Sequence, residues 1–428
     1  MKSSRRPSRW SGSTMPGTHL MSAPKTATPG AFPALTEPPV RRYLYGQTAS
    51  VLGSWTQNIT LNLLLWEMTH AAWQLGLLNF LLQGPSLLVS PLFGARLSPT
   101  SARSTAFRIL LCSLIVAAIL AATQFFGLLG PAIVTAAALV CGILAAMEMP
   151  TRQLLLTTTL EDKSSLGSVI ALNTLVFNVG RMIGPVIAAY LFMHAGASSG
   201  FALNVIGLTT MLVCIRSLPT DTRLQSVAVK SGGLRHAVAY ARADNLARQC
   251  LPALALLGLL AGSYQTLIPV LSHRFGDAAR FTGVFFGCAG AGAMLAALLL
   301  SSHIMNARRA MQAHGAAQWL AVLALGVISL ASTPWFAGAG FCALGLSLTL
   351  FATTTNSTLQ RNCPSELRGG IVGLYGMAYL GTMPLGHLLM GNVANLVGEQ
   401  AAFGLMSVSL ALSLGALRIF GRPASVER

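Results

Sequence analysis

Long apolar runs recur along almost the whole chain, separated by short polar stretches. A helix needs roughly 18 or more apolar residues to cross about 30 Å of hydrocarbon. Twelve runs meet that length, near 43–66, 73–95, 107–126, 128–149, 166–193, 198–217, 248–271, 281–302, 315–332, 335–358, 369–393 and 399–420. Most contain Gly or Pro, which a membrane helix tolerates because its neighbours re-satisfy the freed backbone groups. The pattern predicts an all-α polytopic membrane protein of twelve transmembrane helices. The longest internal polar stretch, 219–247, divides the runs six and six.

Within that stretch, LRHAVAYARADNLARQ sets Leu234, Val238 and Ala241 at helical spacing among basic residues. This predicts an amphipathic helix lying on the membrane surface, with a partner-binding helix as the alternative. The first 40 residues are rich in Ser, Pro, Thr and Arg, and no apolar core follows their basic residues. They do not read as a secretory signal. A disordered basic cytoplasmic tail, an over-extended start with Met15 or Met21 as the true beginning, and a transit peptide remain as readings. The expected division is a tail at 1–40, a six-helix bundle at 41–218, a cytoplasmic loop at 219–247, a second bundle at 248–421 and a tail at 422–428.

Composition agrees with the pattern. Only 9% of the 428 residues are charged and 53% are apolar, against about 25% charged in a soluble domain. Mean hydropathy is +0.63. A soluble enzyme, a disordered chain and a disulfide scaffold are excluded. The seven Cys form no CxxC pair and read as small buried apolar residues. The eight His show no metal-ligand spacing, and there is no phosphate-binding GxxxxGK[ST] loop. No metal and no cofactor are expected.

The net charge of +17 would suggest nucleic acid in a soluble chain. Placed on twelve spans, it says something else. With both termini on one side, 25 of the 28 Lys and Arg fall in the loops and tails of that side. Arg274 and Arg280 fall on the other side, and Arg181 lies within a helix. Basic loops stay cytoplasmic, so both ends are expected inside, facing anionic lipid rather than nucleic acid. A weak internal echo, LEDKSSLGSVIALN at 160–173 and PSELRGGIVGLY at 364–375, fits a parallel duplication of a six-helix unit.

Polar groups inside such helices are the candidate chemistry. Ser54, Asn58 and Asn62 recur every four residues on one face of the first helix, with Gln57 beside them, and Asn79 and Gln83 repeat the spacing on the second. Tyr264 and Gln265 lie on the seventh, Asn356 on the tenth, and Tyr375 and Tyr379 on the eleventh. They read as the lining of a polar cavity or as hydrogen-bonded packing between helices. Arg181 needs a partner, because a central membrane Arg costs at least about 2.5–3.5 kcal/mol. The helix-associated acids are Glu67 and Glu148, and Glu148 is four residues from Arg152. Arg181 with an acid is read as a pair that breaks during function, as a static pair, or as a side chain reaching an interface. Gly180, Gly184 and Pro185 around it allow close helix approach and a kink.

GRMIGPVIAA (180–189) resembles the fifth-helix antiporter motif of the major facilitator superfamily, with Ala188 and Ala189 in place of two glycines. LGSWTQNITL (52–61), LGLLNFLLQGPSLL (75–88), EMPTRQLLL (148–156), VIALNTLVFNVGRMIGP (169–185), SYQTLIPVL (263–271) and ELRGGIVGLYGMAYLGTMPLG (366–386) are similar to its enterobactin-exporter and macrolide-efflux-like branch. The likeness covers about 40–420. It implies two six-helix bundles rocking about a midplane site. It also implies a secondary transporter, not an enzyme, in the bacterial inner membrane, driven by the proton motive force and working as a monomer. The cargo implied is a small amphipathic molecule, a siderophore first. Multidrug or macrolide efflux, and an importer or lysophospholipid transporter, are the alternatives. The loop after the second helix departs from the superfamily: Gly94 stands, but Ser98 and Pro99 occupy its Asp and Arg positions. The gate is therefore expected to rest on Glu148–Arg152 and on Glu366–Arg368.

Overall fold

The computed structural model describes residues 37–159, 166–218, 234–301 and 307–420. The predicted tails lie almost entirely outside these residues, as does most of the central loop and the first part of the 160–173 echo. Helix α1 runs over Pro38–Thr69. It is followed by α2 (Ala72–Gln83), α3 (Pro85–Gly94), α4 (Ala102–Phe125) and α5 (Pro131–Thr159). Then come α6 (Leu166–Ala195), α7 (Ala197–Arg216) and the short α8 (Leu234–Ala243). Helix α9 (Asn245–Leu256) passes through a widened turn, Leu257–Ala261, into α10 (Tyr264–Arg274). The rest is α11 (Ala278–Ser301), α12 (Ala307–Ser329), α13 (Pro334–Asn362), α14 (Arg368–Tyr379), α15 (Met383–Val397) and α16 (Glu399–Phe420). Among the described residues there is no strand.

Nine of these stretches are long and apolar enough to cross a membrane. Three of the expected spans fall short of that measure: α1, α12 and the pair α14–α15. The reasons are local. Helix α1 carries Gln47, Gln57, Asn58 and Asn62, α12 carries Gln312, His314 and Gln318, and α14 and α15 are separated at Leu380–Thr382.

The turns after α1, α4, α6, α10 and α15 lie at one end of the molecule. Every positive φ among the described residues is on one of them: His70 at 47°, Gly127 at 67°, Gly196 at 75°, Gly276 at 95° and Gly398 at 82°. A left-handed residue reverses the chain within a few positions and closes the helix end. The opposite end is basic. There the Arg103 guanidinium donates to the carbonyls of Ile215 at 3.2 Å and Arg216 at 2.7 Å, where the last carbonyls of α7 favour a cation.

Helices α1–α7 form one bundle and α9–α16 the other. In the first, α1 is clasped by α6 and α7. A Cβ on Gly184 would lie 2.5 Å from Trp55 Cβ, and one on Gly53 would lie 2.8 Å from Asn204 Cα. The small residues at 180 and 184 thus do what their spacing predicts: they let α6 seat on α1.

The bundles touch in the half away from the basic end. There α2 lies against α15, where a Cβ on Gly76 would come within 2.6 Å of the His387 carbonyl. Likewise α6 lies against α11, where a Cβ on Gly290 would come within 2.7 Å of Met182 Cα. Towards the basic end the contact is lost. Leu175, two turns back from Met182 on the same face of α6, is 45% exposed. Added Cβ atoms on Gly373 and Gly376 of α14 would meet nothing within 4 Å. The result is a cleft sealed at the turn-rich end and open at the basic one.

The expected helix α8 forms, and part of its apolar face lies on protein. Ala237 and Ala241 are buried, and Ala241 shares a small core with Leu359 and Ile371 while Tyr240 and Leu374 pack beside it. The Tyr240 hydroxyl donates to the Asn362 carbonyl at 2.9 Å. The bases of α13 and α14 offer an apolar surface, and α8 covers it.

Candidate functional site

The polar residues of α1 and α2 do not all face the cleft. Gln57 is buried inside the first bundle, where the Asn204 side chain of α7 donates to its Oε1 at 2.8 Å. Its own amide reaches Cys141 Sγ on α5 at 3.5 Å. Asn62 and Asn79 are likewise buried, with Asn79 donating to Asn62 Oδ1 at 2.7 Å. Each also donates one turn back, to Asn58 and Leu75 carbonyls. These three expected cavity residues are packing bonds within a bundle, because a buried amide needs partners. Asn58 is half-buried on the cleft side of α1.

Gln83 makes the link between bundles. Its Nε2 donates to His387 Nε2 at 3.0 Å, and His387 Nδ1 lies 2.8 Å from Thr266 Oγ1 on α10. A neutral imidazole accepts at one nitrogen and donates at the other, so His387 satisfies both neighbours at once. It is fully buried. Nearer the turn-rich surface, Trp66 of α1 and His70 just past its end meet His273 of α10, with ring centroids 5.4–5.7 Å apart. Glu67 and Asp277 share the cavity of about 830 Å³ above these rings. Glu67 is exposed there, far from Arg181, so it is not a partner for that residue.

One ion pair is the one the sequence spacing offered locally. Glu148 and Arg152 pair on α5. Arg152 is 6% exposed. It also donates to Gln47 Oε1 at 2.7 Å and Ser50 Oγ at 2.6 Å on α1, while the Tyr43 hydroxyl donates to its carbonyl at 3.2 Å. Gln47 and Ser50 escaped the sequence reading, although they extend the polar line of Ser54 and Asn58 towards the start of α1.

Arg181 departs from expectation. Among the described residues no carboxylate pairs with it. It reaches only Asn178 Oδ1, at 3.4 Å. Tyr264 is buried in the second bundle, its ring 6.0 Å from that of Phe341. Tyr375 lies beside Tyr379, their rings 6.4 Å apart. Gln265 and Asn356 are half-buried, and Gln360 donates to Asn356 Oδ1 at 2.8 Å. At the basic end Glu366 and Arg368 are exposed at the start of α14. Gly94 closes α3 beside Pro150, and Ser98 bonds Thr100 rather than spanning a gate.

The family model described as transmembrane secretion effector matches residues 31–425. The chain belongs to this family of major facilitator transporters. It is therefore a membrane transporter and not an enzyme. Relatives of this transporter include the staphyloferrin A transporter of Staphylococcus aureus, 27% identical over 84% of this chain and 90% of that protein. The enterobactin exporter EntS of Citrobacter koseri is 23% identical over 91% of this chain and 95% of its own. In fold the transporter is similar to the nucleoside transporter NupG, with a TM-score of 0.68 at 13% identity, covering 90% of this chain and 100% of that one. A bacterial homologue of the iron transporter ferroportin gives 0.65 at 13% identity, covering 90% and 99%.

Proposed function

We propose that this transporter is a secondary active exporter that moves a small amphipathic molecule, a siderophore rather than a drug, out of the cytoplasm. The carrying observation is the cleft: two bundles sealed at one end and open at the basic end. Basic loops stay cytoplasmic, so that opening faces the cytoplasm, where an exporter loads. On this reading all twelve helical passes cross the bacterial inner membrane, with both termini inside, and the monomer suffices. The two siderophore-transporting relatives favour the cargo class.

Proton antiport supplies the drive. A potential of 100 mV is worth about 2.3 kcal/mol per charge moved. Glu148 is the carboxylate, among the described residues, set well inside a helix rather than at an end. Protonation would break its pair with Arg152 and leave that guanidinium held by Gln47 and Ser50 of α1 alone, a change that can bias the two bundles.

The test is to delete the gene and compare secreted and cell-retained metabolites under iron limitation. The expected result is an iron-chelating molecule lost from the medium and gained in the cells, restored by the wild-type gene. An unchanged profile overturns the siderophore reading, and retention of added macrolides instead would favour drug efflux.

A further inference from the structure

Helix α1 ends on an unusual residue. His70, with φ at 47°, is the one non-glycine residue of positive φ among the described residues. The other four reversals of this kind use Gly127, Gly196, Gly276 and Gly398, which have no Cβ to crowd the backbone. Closing the helix does not call for a side chain at 70. The His70 backbone N–H does that, donating to the Trp66 carbonyl at 2.8 Å. A left-handed backbone that carries a side chain its turn does not need points to a use for that side chain.

The imidazole has a place. Its ring centre lies 5.4 Å from that of His273 on α10, with the planes tilted by 41°. The Trp66 ring stands nearly edge-on to His70, at 88° and 5.5 Å, and meets His273 at 68° and 5.7 Å. Trp66 and His70 belong to the first bundle and His273 to the second, so the three rings close a contact across the boundary. Trp66 is buried, while both imidazoles are exposed. The buried Trp66 indole N–H finds no hydrogen-bond partner among the described residues. Ring contact rather than hydrogen bonding therefore holds this layer. Further in, Thr266 on the same helix α10 bonds His387, about 10 Å from the level of His273 at 1.5 Å per residue. The sealed end has two layers, hydrogen bonds about His387 and rings about His70.

We propose that His70 is a positioning residue of the transport cycle, an outer latch that keeps the turn-rich end shut by setting its ring against His273 of the other bundle. A carrier open at both ends would leak, so the end away from the open cleft needs a contact that forms and breaks as a unit. Three rings meeting at their faces and edges supply one. The left-handed turn fixes the ring at the boundary, where a glycine would leave a gap. The latch serves whichever way the cargo moves, so it stands or falls apart from the export reading.

The test uses the purified full chain in detergent and two readouts: thermal unfolding, and the distance between spin labels at Leu128 and Leu330, exposed at that end, one in each bundle. Loss of a ring pair corresponds to a change of about 2-fold to 10-fold in an equilibrium. His70→Ala removes the ring and keeps the left-handed strain, and His70→Gly removes both. Each should raise the fraction of longer distances by that factor and by the same amount, while His70→Gly unfolds at the higher temperature of the two. His273→Gln, in ordinary helical backbone, should give the same shift, and adding it to His70→Gly should add little. If His70 only ends α1, neither His70 variant moves the distance, and the proposal is overturned. It is overturned as well if His70→Gly keeps the wild-type distances while His70→Ala loses them, or if the shifts of His70→Gly and His273→Gln multiply in the double variant. Should the His70 variants fail to fold, His273→Gln decides, and an unchanged distance there overturns the latch.

Discussion

Substituting Gly391 by Ala should unlock the sealed end of the cleft. The added Cβ would lie 2.7 Å from Gly76 Cα and 2.8 Å from the Ala72 carbonyl, both backbone atoms of α2. Backbone cannot swing aside as a side chain can, so α15 and α2 must part by roughly 0.8 Å to restore ordinary contact. Overpacking of this kind costs about 1–3 kcal/mol. Only the sealed state bears that cost, so the balance should move towards the state opened at the turn-rich end by about 5-fold to 150-fold. The readout is the distance between spin labels at Leu128 and Leu330, which are 65% and 84% exposed at that end, one in each bundle. Pulsed dipolar spectroscopy, with the seven natural cysteines replaced, should show a longer-distance component that the parent lacks. Gly373→Ala is the matched control, since its Cβ meets nothing within 4 Å. An unchanged distribution in folded Gly391→Ala, or an equal shift in Gly373→Ala, refutes the reasoning.

Three further outcomes follow from the buried polar clusters. Glu148→Gln leaves Arg152 buried without its acid and should lower stability by about 3–5 kcal/mol; thermal unfolding in detergent should show Glu148→Gln/Arg152→Gln losing less than the sum of the singles. Asn62→Ala and Asn79→Ala should couple by about 0.6–1.7 kcal/mol in a double-mutant cycle, and additive losses would deny the pair. His387→Ala strands Gln83 and Thr266, a penalty of about 1–3 kcal/mol. It should lengthen the Leu128–Leu330 distance as Gly391→Ala does, whereas an unchanged distance would remove His387 from the seal.

Much of this was legible where cause and effect lie close together in the chain. Apolar runs gave the helices, Gly180 and Gly184 gave the seat on α1, and Glu148–Arg152 gave a pair one turn apart. What was not legible depended on distant partners. The apolar face of α8 shows in its spacing, but nothing in the spacing says that Ile371 and Leu374 lie beside part of it. Gln57 and Asn62 look like cavity residues until α7 and α2 bring Asn204 and Asn79 to them. Arg181 invited an acid by electrostatics alone, and among the described residues the fold gives it only Asn178, one turn away on its own helix. His387 stands alone in an apolar run, and its partner Gln83 is 304 positions away, so no local signal could have marked it. Gln47 and Ser50 are the exception: they continue the polar line of α1 and could have been read.

Direction and drive are tested together by uptake into inside-out membrane vesicles, using the radiolabelled metabolite that the deletion strain retains. Vesicles carrying this transporter and energised with an acid interior should accumulate it, vesicles lacking the transporter should not, and an uncoupler should abolish the uptake. Accumulation only in right-side-out vesicles, or uptake indifferent to the uncoupler, would contradict proton-driven export.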